Sequence, residues 1–267
     1  MATGFDPKFL CTQVSLPAMS GAAADDAVVV NGSSVIDYTH FSLALSASRH
    51  LARWVAWNVD GKRMQKLSRS SMKFRLDPRV PPQMQVGDEL YSDNRIDRGH
   101  VARRADLTWG SDAEAHQANS DSFYFTNITP QIADFNQSSQ GGIWGRIEDA
   151  LYDEVDVDDL RISVFGGPVF SDDDPVYREV ALPKEFWKVV IFVEDDELKV
   201  RALLLTQKLD RLEILDLDEF GTYQVSVAEL SKRTGLDFGD ALFTAGALGV
   251  GATYAPRPIE ALRDIRW

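Results

Sequence analysis

Two apolar runs joined by an acidic tetrapeptide constrain this chain most. Phe186 to Val193 and Leu198 to Leu205 are apolar and rich in β-forming residues, and Glu194-Asp195-Asp196-Glu197 lies between them. Runs of that composition around a short polar connection predict a β-hairpin. Further strands are expected at Phe41 to Leu45 and at Arg53 to Val59. The second alternates Val55, Trp57 and Val59 with Trp54, Ala56 and Asn58, and Asp60-Gly61 supplies the turn that ends it. Ile162 to Phe170 reads as a buried strand interrupted at Gly166-Gly167-Pro168. Residues 18–31 read as a loop entering a short apolar strand, and Pro78, Pro81 and Pro82 mark irregular chain.

Two helices are expected. Ile143, Ile147, Leu151 and Val155 recur every four residues, which predicts a helix from Ile143 to Val155. Ser226-Val227-Ala228-Glu229 has the form of a capping box and opens a short helix that should end at Gly235. Strands and helices mix without βα alternation, so the fold class is α+β. With 267 residues and no linker-like tract or internal repeat, the chain is expected to form one domain. Its parts would be an N-terminal extension over 1–34, a core over about 35–240 and a C-terminal tail over 241–267.

The lone Cys11 excludes an internal disulfide framework, and no apolar run is long enough for a transmembrane helix. No membrane partner is expected, and the N-terminal residues lack the features of a signal peptide. The net charge of −13 argues at first against nucleic acid, because phosphate binding rests on Lys and Arg. Its distribution reverses that inference. Residues 151–220 carry −11, residues 1–150 only −2, and residues 221–267 balance to zero. Between 49 and 79 the chain is +7, through Arg49, Arg53, Lys62, Arg63, Lys66, Arg69, Lys73, Arg75 and Arg79. Such a strip suits either a solvated strand face or an electrostatic footprint. As a footprint, it implies a polarised molecule that binds DNA on one face and repels it elsewhere.

Among His40, His50, His100 and His116, His100 has the most suggestive neighbours: Asp97-Arg98-Gly99 before it, Arg103 and Arg104 after it. An imidazole can take a proton from water near neutral pH. Arginines can hold a phosphate through forked hydrogen bonds, and a glycine would let the backbone approach a ligand closely. Taken alone, the tetrapeptide fits a surface histidine beside a turn better than a catalytic one. Downstream lies Phe123 to Gln131, an apolar, aromatic strand expected to deliver Asn127 into a turn containing Pro130, then Asp134-Phe135-Asn136-Gln137, then Trp144-Gly145-Arg146-Ile147-Glu148. Their amides and carboxylates suit a hard divalent ion such as Mg²⁺, although an Asn side chain more often caps a turn.

Taken together and in order, these segments resemble the DNA/RNA non-specific endonucleases. That family has a ββα-metal (His-Me finger) core and includes mitochondrial endonuclease G and the bacterial sugar-non-specific nucleases. Phe165 to Phe170, Phe186 to Val190 and Val225 to Asp237 also resemble family segments, so the likeness covers about residues 35–240. The resemblance implies an α+β fold with a central antiparallel sheet flanked by helices, a strand carrying His100 and a helix carrying Glu148. It implies that His100 is the general base and Asn136 the Mg²⁺ ligand, with Mn²⁺ or another divalent ion able to substitute. Glu148 would orient metal-associated water, Asn127 would position the histidine or the site, and Arg98 would set the phosphate or the local hydrogen bonding. Metal-dependent hydrolysis of DNA and RNA, with little sequence preference and 5′-phosphate products, follows from the resemblance. An inhibitor protein and a homodimer are the other partners to expect, and the kind of relatives suggests a bacterial origin.

Two departures stand out. Asn136 and Glu148 are further apart than in the family, with Ser138 to Gly142 reading as an extension. The upstream arginine that faces the phosphate in relatives corresponds to Arg49, His50 or Arg53, and a gap-free match selects His50. Two other readings compete: a catalytically inactive nuclease-fold module that binds nucleic acid or a protein, and a different metal hydrolase. Joint retention of His100, Asn136 and Glu148 disfavours the first. The lack of a His-Glu-x-x-His pattern, with only one cysteine, disfavours zinc chemistry.

Overall fold

The computed structural model describes residues 2–68, 72–132, 161–207, 221–246 and 257–258. Its strands are β1 Ala18–Met19, β2 Ile36–Tyr38, β3 Phe41–Leu45, β4 Ala52–Asp60, β5 Ile96–His100, β6 Ile128–Ile132 and β7 Arg161–Val169. They continue with β8 Val176–Tyr177, β9 Val180–Ala181, β10 Glu185–Glu194, β11 Glu197–Thr206, β12 Gly221–Val225, β13 Leu236–Asp237 and β14 Arg257–Pro258. The helices are α1 Ala22–Asp25, α2 Arg104–Leu107, α3 Asp112–Asp121, α4 Val227–Thr234 and α5 Asp240–Ala245. The helix expected at Ile143 to Val155 lies outside the described residues.

The described strands build an eight-stranded antiparallel sheet in the order β14-β12-β11-β10-β7-β4-β3-β2. The fold is α+β, as expected. The acidic hairpin forms with Glu194 opposite Glu197, so only Asp195 and Asp196 turn the chain. Both have positive φ, 52° and 61°, the combination whose twist matches the flanking strands in a two-residue hairpin. In α4, Ser226 accepts a hydrogen bond from the Glu229 N–H at 3.1 Å, and Gly235 closes the helix at φ 68°. The capping box is only half closed, because the Glu229 carboxylate accepts instead from Arg233 at 2.8 Å, one turn on. A complete capping box, between Ser111 and Glu114, opens α3.

The sheet is buried on both faces, which explains why its central strands are largely apolar, with Asn58, Ser163, Lys188 and Arg201 as buried exceptions. Leu43, Val55, Trp57, Val164, Val190 and Leu203 face one cluster, joined by Val101, Ala102 and Leu107 from the segment after His100. Ala44, Trp54, Phe165, Trp187, Val189 and Leu204 face the other, covered by Phe5, Phe9 and Val14 from the N-terminal stretch and by Val227, Leu230 and Leu242 from α4 and α5. Backbone donors reinforce the N-terminal packing: the Phe5 N–H reaches Ser42 Oγ at 2.8 Å and the Asp6 N–H reaches Asn58 Oδ1 at 2.7 Å.

Gly166-Gly167-Pro168 does not break β7, contrary to the sequence expectation. The strand runs through all three residues, and the glycines permit close packing instead of a turn. A Cβ on Gly167 would stand 2.6 Å from the Arg53 carbonyl oxygen, and one on Gly166 would stand 3.3 Å from the Trp57 ring. Pro168 follows the last β7 residue paired with β4, Gly166, where a residue lacking an N–H is tolerated. Gly167→Ala should therefore cost about 1–3 kcal/mol through overpacking against backbone that cannot move aside. Urea melts should show a lower midpoint at unchanged slope; wild-type stability would mean that the strands have room to part.

Candidate active site

β5 and β6 form a separate antiparallel pair, with Ile96 opposite Ile132, Asp97 opposite Gln131, Gly99 opposite Thr129 and His100 opposite Ile128. They lie over a satellite core that includes Leu51, Leu90, Tyr91, Ile96, Phe125 and Ile128. Strand alternation puts Arg98 and His100 on one face of β5, and Asp97 and Gly99 on the other.

On the second face, the space above Gly99 belongs to the protein itself. The side chain of Gln131, 1% exposed, crosses it so closely that a Cβ on Gly99 would lie 2.2 Å from the Gln131 Cδ and Oε1. The glycine makes room for Gln131, not for a ligand, which corrects the sequence expectation.

Asn127 ends the 3₁₀ turn Phe125–Asn127 and is fully buried; the strand follows it and runs through Pro130, the reverse of the order expected from sequence. Its Oδ1 accepts from the Ala102 N–H at 3.0 Å, its Nδ2 donates to the Ala102 carbonyl at 3.0 Å and to the Ser122 carbonyl at 3.3 Å, and its own carbonyl accepts from the Val101 N–H at 2.9 Å. The two residues after His100 are thereby tied to the start of β6. Beyond them the chain is anchored to the main sheet, where Trp57 Nε1 donates to Asp106 Oδ2 at 3.1 Å.

On the first face, His100 packs in a three-ring cluster with two phenylalanines that also touch each other. Phe74 lies at 5.6 Å between centroids and is tilted, and Phe123 lies at 5.5 Å and nearly perpendicular. The Arg98 guanidinium lies between the rings of Phe74, at 5.6 Å, and Tyr91, at 5.2 Å. Its Nε and Nη2 donate to Asp88 Oδ1 at 2.9 and 2.6 Å. Burial raises the Tyr91 hydroxyl far above the ordinary phenol range, against a smaller opposing pull from Arg98, so this ring stays neutral.

The remaining candidates separate. Arg103 precedes α2 in extended conformation, and Arg104 donates through Nη1 to the Leu67 carbonyl at 3.1 Å and to Asn119 Oδ1 at 3.0 Å. Arg49 bonds to Asp174 at 3.2 Å and to the Ser171 carbonyl at 2.5 Å, and Arg53 bonds to Asp26 at 2.5 Å. Their side chains are only 16% and 14% exposed, and both guanidiniums pack against Phe170. Three of the cations expected to meet substrate, Arg49, Arg53 and Arg104, thus bond to the protein's own oxygens. His50 lies in the same β3–β4 turn at φ 58°. Two further arginines of the basic strip are also engaged, Arg75 with Ser120 and Tyr124, and Arg79 with Asp77. Asn136 and Glu148 lie outside the described residues. Among the described residues no cluster of three His, Cys, Asp or Glu is placed to hold a metal, and no helix is long and apolar enough to cross a membrane. Sequence reasoning did not single out Phe74 or Asp88, which nothing in their local sequence marks, and read Phe123 only as part of an aromatic stretch.

The sequence model of the DNA/RNA non-specific endonuclease family matches residues 20–245. The uncharacterized protein y4fB of Sinorhizobium fredii is 35% identical over 268 residues, covering 94% of this chain and 39% of that protein. A nuclease of a Nostoc species is 29% identical over 203 residues, covering 74% of this chain and 70% of the relative. The chain thus spans well under half the length of the first of these relatives. Among solved structures, a crystal structure of an EndoG/EndoGI complex superposes with a TM-score of 0.60 at 20% identity, over 76% of this chain and 84% of that one.

The Gly99–Gln131 contact yields a double-mutant test. Gly99→Ala alone should cost about 1–3 kcal/mol by overpacking. Added to Gln131→Ala, it should cost almost nothing further, because the two positions share one volume. Additive losses in chemical denaturation would show that the glycine is required for another reason.

Proposed function

The chain belongs to the DNA/RNA non-specific endonuclease family, and from that membership we propose a metal-dependent enzyme that cuts within DNA and RNA with little sequence preference. The observation that carries this reading is the placement of His100 beside Arg98 on one face of β5, with Asn127 clamping the backbone that follows. A base and a phosphate-binding cation side by side are what phosphodiester hydrolysis requires.

In the proposed reaction His100 accepts a proton from the water whose oxygen attacks phosphorus in line, and the bond from phosphorus to the 3′ oxygen breaks. The products are a 5′-phosphate and a 3′-hydroxyl. Asn127 acts at a distance, holding Val101 and Ala102 so that His100 keeps its place. The stacked Arg98 guanidinium, restrained at one edge by Asp88, presents charge to the phosphate, with Arg103 reinforcing the field, whereas Arg104 is held by Leu67 and Asn119. Arg49 and Arg53 serve the scaffold, which leaves His50 as the upstream residue to face substrate. Asn136 and Glu148 would hold Mg²⁺ and its water, a small oxygen donor set suited to an ion that keeps several waters. When bound, the ion would stabilise charge on the phosphate and on the departing oxygen. Backbone contacts suffice for such cleavage, since phosphates carry no sequence information. EndoG is inhibited within the solved EndoG/EndoGI complex, and control by an inhibitor protein is the corresponding expectation for this chain.

Incubating supercoiled plasmid with the protein tests the reading directly. Nicking should occur with Mg²⁺ and stop with EDTA, and His100→Ala should slow it about 10²–10⁴-fold, the usual contribution of a general base. Intact plasmid in Mg²⁺ across neutral pH would refute the enzyme, and a fully active His100→Ala would refute the base. The rate should also fall steeply with added salt, because cation–phosphate contacts exchange with counterions. A salt-independent rate would mean that cationic contacts do not hold the substrate.

A further inference from the structure

A side chain that packs on both His100 and Arg98 belongs to neither strand of the β5–β6 pair. Phe74 comes from the segment that crosses residues 123–125, where the Arg75 N–H donates to the Phe123 carbonyl at 3.1 Å and the Phe125 N–H donates to the Arg75 carbonyl at 2.9 Å. Those two bonds fix the backbone on one side of Phe74. Its half-buried ring rests on Phe123 at 5.0 Å and Phe125 at 5.9 Å, while its centroid lies 5.6 Å from the imidazole and 5.6 Å from the guanidinium. One ring therefore touches both functional side chains of β5.

We propose that Phe74 is a positioning residue of the nuclease reaction, setting His100 and Arg98 at a fixed separation; this rests on the roles proposed above for those two residues. Two side chains at alternate positions of one strand face stand about 6–7 Å apart at their roots, and each has several staggered rotamers available. A wedge between them removes the rotamers that would swing one toward the other. Phe123 backs the wedge, touching both the Phe74 ring and the imidazole, and Tyr91 packs on the guanidinium. Because an aromatic wedge forms no strong hydrogen bond, it orients both groups without competing for the N–H and lone-pair positions used in catalysis. Phe74 itself needs no contact with the substrate.

The test is steady-state cleavage of a fluorophore–quencher oligodeoxynucleotide in Mg²⁺ by wild type, Phe74→Leu and Phe74→Tyr, with Tm measured for each. Loss of the wedge should lower kcat about 10- to 100-fold in Phe74→Leu, the scale of an ångström-sized misplacement. KM should stay within about threefold, since substrate binding is not what is lost. Phe74→Tyr, which keeps the ring, should retain most of the activity. If Phe74→Leu does not fold, Phe74→Met takes its place, filling the volume without a ring. An unchanged kcat in the folded ringless variant overturns the proposal. A loss confined to KM also overturns it and makes Phe74 a substrate contact. The His100 ring-proton resonances, shifted by the neighbouring phenylalanines, should move in Phe74→Leu whether or not the protein cleaves DNA, and unmoved resonances overturn the contact itself. An inactive wild type with moved resonances would sink the nuclease reading instead.

Discussion

Burial of one antiparallel sheet on both faces is the constraint on which the rest of this molecule depends. With apolar side chains on each side of β4, β7, β10 and β11, neither face can be left to solvent, and the chain must supply two coverings. The N-terminal stretch together with α4 and α5 provides one. The segment after His100, with α2, contributes to the other. Close approach of β7 to β4 at Gly166 and Gly167 seats Trp57 and Trp187 within these layers. The same demand brings the β5–β6 pair against the sheet, because Val101 and Ala102 are part of the covering.

An isolated two-stranded pair is at best marginally stable in water. The geometry around His100 is therefore borrowed from its surroundings. Asn127 ties the chain after His100 to the start of β6, Asp106 ties it to Trp57, and Phe74 reaches in from a distant segment to separate the imidazole from the guanidinium. Asp88 and Tyr91 orient Arg98 from a third segment. Each partner arrives from a different part of the chain, so the site is a product of packing as much as of its own motif.

Local signals were legible where local physics decides. The β10–β11 hairpin depends on two apolar runs and two turn residues, and α4 on a serine at its start and a glycine at its end; all are visible within a few residues. Gly166-Gly167-Pro168 misled because a glycine pair read in one dimension signals a break, whereas in the folded chain it admits the Arg53 carbonyl and the Trp57 ring. Gly99 misled for the same reason, its missing Cβ serving Gln131. The basic strip counted cations without their partners, and Asp26 and Asp174, which hold Arg53 and Arg49, come from outside it.

By itself the sequence determined the α+β class, the hairpin and the ordered motifs that identify the family, since all of these are written in residue type and spacing. Tertiary structure alone decided which arginines are bound to the protein's own oxygens, why two glycine positions admit no side chain, and which rings pack on His100 and Arg98. Those outcomes depend on atoms brought within a few ångströms of one another from distant positions, and hydrogen bonding, ion pairing and steric exclusion act only at that range.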